Sequence, residues 1–354
     1  MSAITRRLLR PEMGDVASYA TSTATAPIRL DRNESPEEMP QATREKVLAS
    51  LAAARWSRYP DPYASELKRA LALREGVSTA SVIVGNGSNS LLLSFFLAAA
   101  FPGRRIGICP PTFGLYASWA RAAGCGVQSF PLAEEDLAPP AGEMVAAARR
   151  DPDLAFVLCS PNNPTGTLFP REGLVSLLET GALVVLDEAY IEFSGGSARD
   201  LLPGHPNLLI SRTLSKAAAL AGVRVGYMLG DPALLSEIEK VVPPFSVNLF
   251  ARAAALAVLA DETPARERVA AIVAERRRVA RALAGEPHAR LTESHANFLF
   301  LRPERPAEDL FERLLSRGIL VRRVAGTKRG ALRVTIGRPE ENDRFLEAWR
   351  EATS

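Results

Sequence analysis

Short apolar runs alternate with helical stretches along the first two thirds of the chain. The runs lie at residues 81–84, 105–108, 155–158, 183–186 and 208–210. Before and between them, apolar residues recur at the three- and four-residue spacing that is typical of amphipathic helices. Strands that alternate with helices pair in parallel through right-handed crossovers. The pattern therefore predicts an α/β fold in which helices cover both faces of a mostly parallel sheet.

The pattern differs at the two ends of the chain. Residues 1–38 are mixed and rich in Ser, Thr and Pro, with one short extended segment at 28–30. After two prolines at 243 and 244, the spacing predicts a long helical segment at about 249–283 and then strands at 297–301, 319–322 and 332–336. We therefore predict an N-terminal arm at 1–38 that joins a small domain, a large domain at 39–243, and a smaller α+β domain at 244–354.

Charge and composition exclude several classes of partner. The 354 residues include 43 Lys and Arg against 40 Asp and Glu, and this net charge of +3 is too small to predict nucleic-acid or anionic-membrane binding. The basic N-terminus lacks the apolar stretch of a secretory signal, so we expect a cytoplasmic protein. The three cysteines show neither CxxC spacing nor a histidine cluster, so we expect reduced thiols and no metal site.

Polar and glycine-rich segments follow four of the predicted strands. They read GNGSN from residue 85, SPNNPTG from 160, DEAY from 187 and SRTLSK from 211. Ligands of open α/β sheets bind outside the carboxyl ends of the strands, so these segments are candidates for one binding site. Each is weak alone, because glycine, asparagine and proline also form ordinary turns.

The acidic pair Asp187 and Glu188 has two interpretations, a Mg²⁺ site of a nucleotide hydrolase or part of a cofactor site. It resembles the Mg²⁺-binding strand of a P-loop ATPase, but the chain contains no Gly-Lys dipeptide and therefore lacks that phosphate cradle. Lys216 is followed eight residues later by Arg224, and hydroxyl residues lie nearby. Pyridoxal 5′-phosphate needs a lysine amine, a carboxylate at its ring nitrogen, hydrogen bonds to its ring oxygen and a phosphate cradle. The combination predicts this cofactor.

Nearly the whole chain, from about residue 28 to 352, resembles the fold-type-I aminotransferases of class I and II, and within them the histidinol-phosphate branch. The resemblance implies a large domain that binds pyridoxal 5′-phosphate, a smaller α+β domain and an aminotransferase activity. It rests on the motifs LDRNESP, RYPDP, GNGSN, PPTFGLY, SPNNPTG, DEAYIEF, SRTLSKAAALAGVRVGY, ANFLFL, ILVRR and LRVTIGRPEENDRF.

The resemblance also implies a role for each cofactor-binding residue. Lys216 holds the cofactor covalently and moves the substrate proton, and Asp187 pairs with the ring nitrogen. Tyr190 and Asn163 hydrogen-bond the ring oxygen, while Phe113 stacks on the ring. The cofactor phosphate is surrounded by Ser88, Asn89, Thr213, Ser215 and Arg224. Tyr59 reaches it from a neighbouring subunit, so the resemblance implies a homodimer with shared active sites.

For the substrates, the resemblance implies transamination between L-histidinol phosphate and 2-oxoglutarate, a step of histidine biosynthesis. Arg333 matches the arginine that binds a substrate carboxylate, and Arg322 lies where the branch contacts the far end of its substrate. Glu37 replaces a frequent aromatic residue and would repel a phosphate unless it turns to solvent. Three nearby cations would attract a substrate phosphate, although a solvated turn would also explain their presence. They are Arg323, Lys328 and Arg329.

Three alternatives stay open at this point. Another amine donor, such as an aromatic amino acid, would suit the same fold, and so would decarboxylation of a phosphorylated amino acid. The third alternative is a non-catalytic sensor, because the fold also forms the effector domain of some transcription regulators. Those regulators carry an N-terminal DNA-binding domain, whereas only about 38 residues precede the first strong helix here.

Overall fold

The computed structural model describes residues 8, 10–16, 23–286, 288–324 and 329–353. Its α-helices are α1 (Gln41–Ala53), α2 (Ser65–Glu75), α3 (Gly87–Ala99), α4 (Leu115–Ala122), α5 (Ala141–Arg150), α6 (Arg171–Leu178), α7 (Pro232–Glu239), α8 (Leu249–Ala260), α9 (Thr263–Ala284), α10 (Ala307–Ser316) and α11 (Pro339–Thr353). Short 3₁₀ turns lie at Pro11–Asp15, Thr79–Ser81, Ile191–Phe193 and Arg199–Gly204. Among the helices of the described ranges, none is long and apolar enough to cross a lipid bilayer.

The strands form two sheets. They are β1 (Ile28–Leu30), β2 (Val82–Asn86), β3 (Arg105–Ile108), β4 (Gly126–Ser129), β5 (Ala155–Cys159), β6 (Val184–Asp187), β7 (Leu208–Thr213), β8 (Val225–Gly230), β9 (Ala289–Leu291), β10 (Phe298–Pro303), β11 (Ile319–Val324) and β12 (Ala331–Thr335). The seven-stranded sheet has the order β2-β8-β7-β6-β5-β3-β4, and the five-stranded sheet has the order β1-β11-β12-β10-β9.

The seven-stranded sheet is mostly parallel, which confirms the predicted fold class. Strands β4, β3, β5, β6 and β7 run parallel, whereas β8 runs antiparallel to both β7 and β2. Every residue of β5, β6, β7 and β8 is buried, because helices pack on both faces of the sheet. Alternate residues of β5 therefore enter different cores: Phe156 and Leu158 join one, and Ala155 and Val157 the other.

The five-stranded sheet contains strands from both ends of the chain. Strand β1 pairs in parallel with β11, placing Ile28 opposite Ile319. Helices α9, α10 and α11 pack on this sheet and bury large apolar side chains against it, among them Ile272, Phe311 and Trp349. The segment that follows β1 therefore lies beside the C-terminal part of the molecule, although it is far from it in sequence. The predicted domain boundaries stay a prediction.

The long helical segment predicted at about 249–283 is divided in the structure into two helices, α8 and α9. Asp261, between them, has an extended backbone (φ −145°, ψ 100°) and accepts a hydrogen bond from the backbone N–H of Thr263. Pro264 then occupies the first turn of α9, where its missing N–H is tolerated. Helix α8 packs in the core of the large sheet and α9 in the core of the small sheet.

Candidate active site

A cavity of about 550 Å³ opens at the carboxyl ends of β5, β6 and β7. The ends of these strands lie side by side, since Cys159 is in register with Asp187, and Asp187 with Ser211. Because β8 runs antiparallel, its amino end lies at the same edge and brings Arg224 there. The cavity is lined by every predicted site residue except Tyr59: Ser88, Asn89, Phe113, Asn163, Asp187, Tyr190, Thr213, Ser215, Lys216, Arg224, Arg322 and Arg333.

Lys216 lies in the loop that follows β7 and points into the cavity. Its Nζ donates a hydrogen bond to the backbone carbonyl of Arg32, 3.1 Å away. Burial, together with the positive charge of Arg333, lowers the pKa of this amine to about 7. A large share of the amine is therefore neutral near pH 7, and only the neutral form can attack a carbonyl group.

Asp187 lines the cavity, and one of its carboxylate oxygens has no hydrogen-bond partner among the described residues. Its Oδ2 accepts a hydrogen bond of 2.5 Å from the hydroxyl of Tyr116, whereas its Oδ1 is buried and has no hydrogen-bond partner among the described residues. Burial raises the pKa of this carboxyl to about 6, against the opposite effect of the Tyr116 hydrogen bond. Leaving a buried carboxylate oxygen without a hydrogen bond costs free energy, so the geometry suits a cationic N–H donor from a bound molecule.

Tyr190 lines the cavity together with the arginines of the small sheet. Its hydroxyl accepts hydrogen bonds from Asn33 Nδ2 at 3.0 Å and from Asn163 Nδ2 at 3.3 Å, and burial raises its pKa. Arg333 holds this arrangement together, since it donates to Asn163 Oδ1 at 2.7 Å and to the carbonyl of Asp31 at 2.6 Å. The amide N–H groups leave the tyrosine hydroxyl hydrogen free to donate to a ligand.

The start of α3 and Arg224 also line the cavity, and together they form a candidate anion cradle. Helix α3 begins here with Gly87, and helix N-termini attract anions. A Cβ on Gly226 would lie 2.1 Å from the backbone nitrogen of Ser88, and one on Gly87 would lie 2.5 Å from Arg224 Nη2. Gly226 therefore allows the helix start to approach β8 closely, and Gly87 allows the guanidinium to approach the helix start. Arg224 also donates to Ser215 Oγ at 3.3 Å, which keeps its fork at the cradle.

Two residues of the site were not identified from the sequence. Tyr116 and Asn33 both lie within motifs that carry the resemblance, PPTFGLY and LDRNESP, but neither was assigned a role. Asn33 has a left-handed backbone (φ 54°), and its backbone N–H and side chain bind Thr335 of the small sheet. The signal in the sequence was the residue type of Asn33, because asparagine adopts a left-handed backbone more often than most other residues.

The predicted phosphate ligand from a second subunit lies outside the cavity. Tyr59 is 83% exposed, and its ring stacks on Phe245 with the centroids 4.7 Å apart. Trp56 and Tyr63 are exposed on the same loop. Its role stays a prediction, because the site that it would contact belongs to another copy of the chain.

The cations near the substrate end do not all face the cavity. Arg322 lines it, whereas Arg323 on the next position of β11 points away, pairs with Glu308 and covers the ring of Phe311. Arg329 donates to the carbonyl of Glu304. Lys328 lies outside the described residues.

Glu37 is turned to solvent. Its side chain is 63% exposed, and its Oε2 lies 3.9 Å from Nε of Arg268 on α9. It is not among the residues that line the cavity. The repulsion of a substrate phosphate that its sequence position suggested is therefore small, because an exposed carboxylate is screened by water and salt.

Comparison with known proteins places the chain in a family. The family model "Aminotransferase class I and II" matches residues 25–348. A histidinol-phosphate aminotransferase from Thermococcus gammatolerans is 40% identical over 324 residues, which are 92% of this chain and 91% of the relative. Another from Chlorobaculum tepidum is 37% identical over 345 residues, which are 96% of this chain and 99% of the relative.

A solved structure shares the whole fold. The histidinol-phosphate aminotransferase from Sinorhizobium meliloti, crystallised in complex with pyridoxal 5′-phosphate, superposes with a TM-score of 0.87 at 26% sequence identity. The match covers 100% of this chain and 99% of that chain. The likeness therefore extends over both sheets and the segment that connects β1 to α1.

Proposed function

Since the chain belongs to the class I and II aminotransferases, we propose that its cavity binds pyridoxal 5′-phosphate and transfers the amino group of L-histidinol phosphate to 2-oxoglutarate. The observation that carries the proposal is the placement of Lys216 and of Asp187, with its unsatisfied Oδ1, in one cavity with Arg224 and the start of α3. The cofactor in the Sinorhizobium meliloti relative supports it. A cytoplasmic location stays a prediction.

The residues of the cavity fit this cofactor at each of its functional groups. Asp187 Oδ1 would accept the N–H of the protonated ring, and the Tyr190 hydroxyl with Asn163 would hydrogen-bond the ring oxygen. Arg224 and the start of α3 would hold the phosphate. When bound, the cofactor withdraws electrons from the substrate carbon that carries the amino group. Lys216 would bind it covalently and, once released by the incoming amine, would move the proton of that carbon.

The substrate end of the cavity has an unusual pair of charges. Arg322 on β11 and Arg333 on β12 are directly opposite each other in an antiparallel register, and both line the cavity. Like charges at directly opposite positions destabilise a sheet, and an anion between or beside them relieves the repulsion. We therefore propose that Arg333 binds the carboxylate of 2-oxoglutarate and that Arg322 binds the phosphate of the donor.

A panel of amine donors tests the proposal and its alternatives. The purified enzyme with its cofactor is mixed with L-histidinol phosphate, histidinol, phenylalanine or a phosphorylated amino acid, with 2-oxoglutarate as the acceptor. Formation of glutamate and the absorbance of the bound cofactor report transamination, and released CO₂ reports decarboxylation. We expect the highest kcat/KM with L-histidinol phosphate. A preference for phenylalanine, or CO₂ release from the phosphorylated amino acid, would select the corresponding alternative.

Replacing Arg322 with Ala should change the choice of donor. Charge-assisted hydrogen bonds contribute about 1.5–3 kcal/mol each, so kcat/KM for L-histidinol phosphate should fall about 10- to 100-fold. The value for unphosphorylated histidinol should fall far less. Arg323→Ala is the matched control, because Arg323 is the next residue along β11 and its guanidinium pairs with Glu308 outside the cavity. Arg333→Ala should mainly impair the half-reaction with 2-oxoglutarate. Equal losses for both donors in Arg322→Ala would remove the phosphate role.

We also propose a homodimer in which Tyr59 reaches the cofactor phosphate of the partner. The exposed aromatic residues around Tyr59 support a buried contact there, since large apolar patches of this kind mark interfaces.

Tyr59→Phe should weaken cofactor retention. If subunits carrying Tyr59→Phe are mixed with subunits carrying Lys216→Ala, each mixed dimer has one site with both lesions and one with neither. Provided that both parents are much impaired, activity above their weighted mean is expected, and activity at that mean would contradict a shared site.

A further inference from the structure

Two arginines occupy the buried stripe of α9. The buried residues of this helix recur at three- and four-residue spacing, and they are Arg268, Ile272, Arg276, Val279 and Leu283. The arginines are only 6% and 7% exposed. Burying a guanidinium costs free energy unless its N–H groups find acceptors, and an apolar side chain would fill the same stripe at less cost. The acceptors of each arginine therefore indicate which segments of the backbone its guanidinium holds together.

Arg268 joins the loop of the reactive lysine to the segment that follows β1. Its Nη1 donates to the carbonyl of Ala217 and its Nη2 to the carbonyl of Glu38, each at 3.1 Å. Ala217 directly follows Lys216, whose amine in turn donates to the carbonyl of Arg32. One planar guanidinium thus connects the backbone beside the lysine to the same segment, residues 31–38, that receives the lysine amine.

Arg276 makes the same kind of contact at a different place. Two turns farther along α9, its Nη1 donates to the carbonyls of Phe193 at 3.3 Å and Ala296 at 2.6 Å. Neither carbonyl belongs to the lysine loop or to residues 31–38. The two arginines are thus matched in helix, burial and carbonyl acceptors. They differ in whether an acceptor adjoins Lys216, and in that Arg268 Nε also lies 3.9 Å from the exposed carboxylate of Glu37.

We propose that Arg268 is a positioning residue that fixes the backbone at Ala217 and thereby aims the amine of Lys216 into the cavity. The inference rests on the proposed function, in which this amine captures the cofactor. A methionine at position 268 would fill much of the space but donate to neither carbonyl, so the loop would gain freedom. Reactions between groups held in one geometry slow about 100-fold when the geometry is lost by as little as 1 Å.

The rate at which the amine captures added cofactor tests this role. Cofactor-free wild type, Arg268→Met and Arg276→Met are mixed with pyridoxal 5′-phosphate, and absorbance follows the covalent capture. The kcat and KM of the reconstituted enzymes are then measured. For Arg268→Met we expect capture and kcat to fall about 10- to 100-fold while KM for both substrates changes less than about threefold. Arg276→Met should keep capture and kcat within about twofold of wild type, whatever its melting temperature.

The conservative variant separates positioning from general stability. Lys at position 268 keeps the charge and can donate to one carbonyl, so it should recover part of the capture rate. Wild-type rates in Arg268→Met, or equal losses in the two methionine variants, would overturn the inference. If Arg268→Met fails to fold, Arg268→Lys and Arg276→Lys are compared by the same two rates and the same criteria. Failure of the wild type to capture the cofactor would overturn the proposed function itself, and this inference with it.

Discussion

Lys216→Ala is expected to lose all measurable transamination, a fall of at least about 10⁴-fold, because the variant has no amine at the centre of the cavity to bind the cofactor or to move the substrate proton. Borohydride reduction of the wild-type holoenzyme, followed by peptide mapping, should find the cofactor on Lys216. Lys240→Ala is the control, since this exposed lysine pairs only with Glu237 on the surface among the contacts described. A cofactor found on another lysine would contradict the central assignment.

A second measurement on Lys216 does not depend on activity. Its pKa is about 7 in the folded chain and near 10.5 in the unfolded chain, so the unfolded chain binds the proton more tightly. The charged amine therefore lowers the stability of the cofactor-free protein, fully below about pH 7 and progressively less as the pH rises toward 10.5. Lys216→Met should stabilise that protein at pH 6, and the gain should shrink by pH 10. A gain that does not vary with pH would show that the amine is not buried as described.

The large sheet could be predicted from the sequence because its central strands are buried on both faces. Strands β5, β6 and β7 read as continuous apolar runs, and the polar residues after them mark the carboxyl ends. Strand β8 was missed, since Gly226 and Gly230 interrupt its apolar pattern. The structure explains Gly226 by the approach of the Ser88 backbone, which is a tertiary contact without a local signal. Strand β4 was missed because this edge strand of four residues has no apolar run and none of its residues is buried.

The site was predicted in most of its residues but not in their connections. Tyr116 reaches Asp187 across 71 positions of the chain, and Asn33 reaches Tyr190 across 157. Hydrogen bonds of that kind depend on how α4 and the segment after β1 pack on the sheet, which periodicity does not report. Arg268 illustrates the same limit, because a polar residue in an apolar stripe signals only that a partner exists. The identity of the partner required the fold.

Asp187→Asn should keep the fold and lower kcat about 100- to 1000-fold, as expected when a preorganised charge at a reacting group is removed. The amide can still accept the Tyr116 hydrogen bond. It cannot stabilise a proton on the ring nitrogen of the cofactor, and the bound ring would then withdraw electrons poorly. The loss should appear in kcat for every amine donor, and cofactor affinity should fall less. Near-normal turnover would remove Asp187 from the catalytic residues.

The stability of the cofactor-free variant gives the same assignment a second test. The pKa of Asp187 is about 6 in the folded chain and near 3.8 when unfolded, so the folded chain binds this proton more tightly. Ionisation thus destabilises the fold as the pH rises from about 3.8, and the cost is complete above about 6. Asp187→Asn should therefore be more stable than wild type at pH 8, by on the order of 3 kcal/mol, with the difference narrowing toward pH 5.

The neighbouring carboxylate should respond with the opposite sign. Glu188 accepts hydrogen bonds from Arg212 at 2.7 Å and from the backbone N–H of Ala198 at 2.8 Å, so its charge is paired within the protein. Glu188→Gln would leave the buried guanidinium with a weaker partner, and the variant should be less stable than wild type at pH 8. If both variants lost stability, Asp187 would be a structural ion-pair partner. A gain at Asp187 and a loss at Glu188 would mark Asp187 as the carboxylate kept unpaired for a ligand.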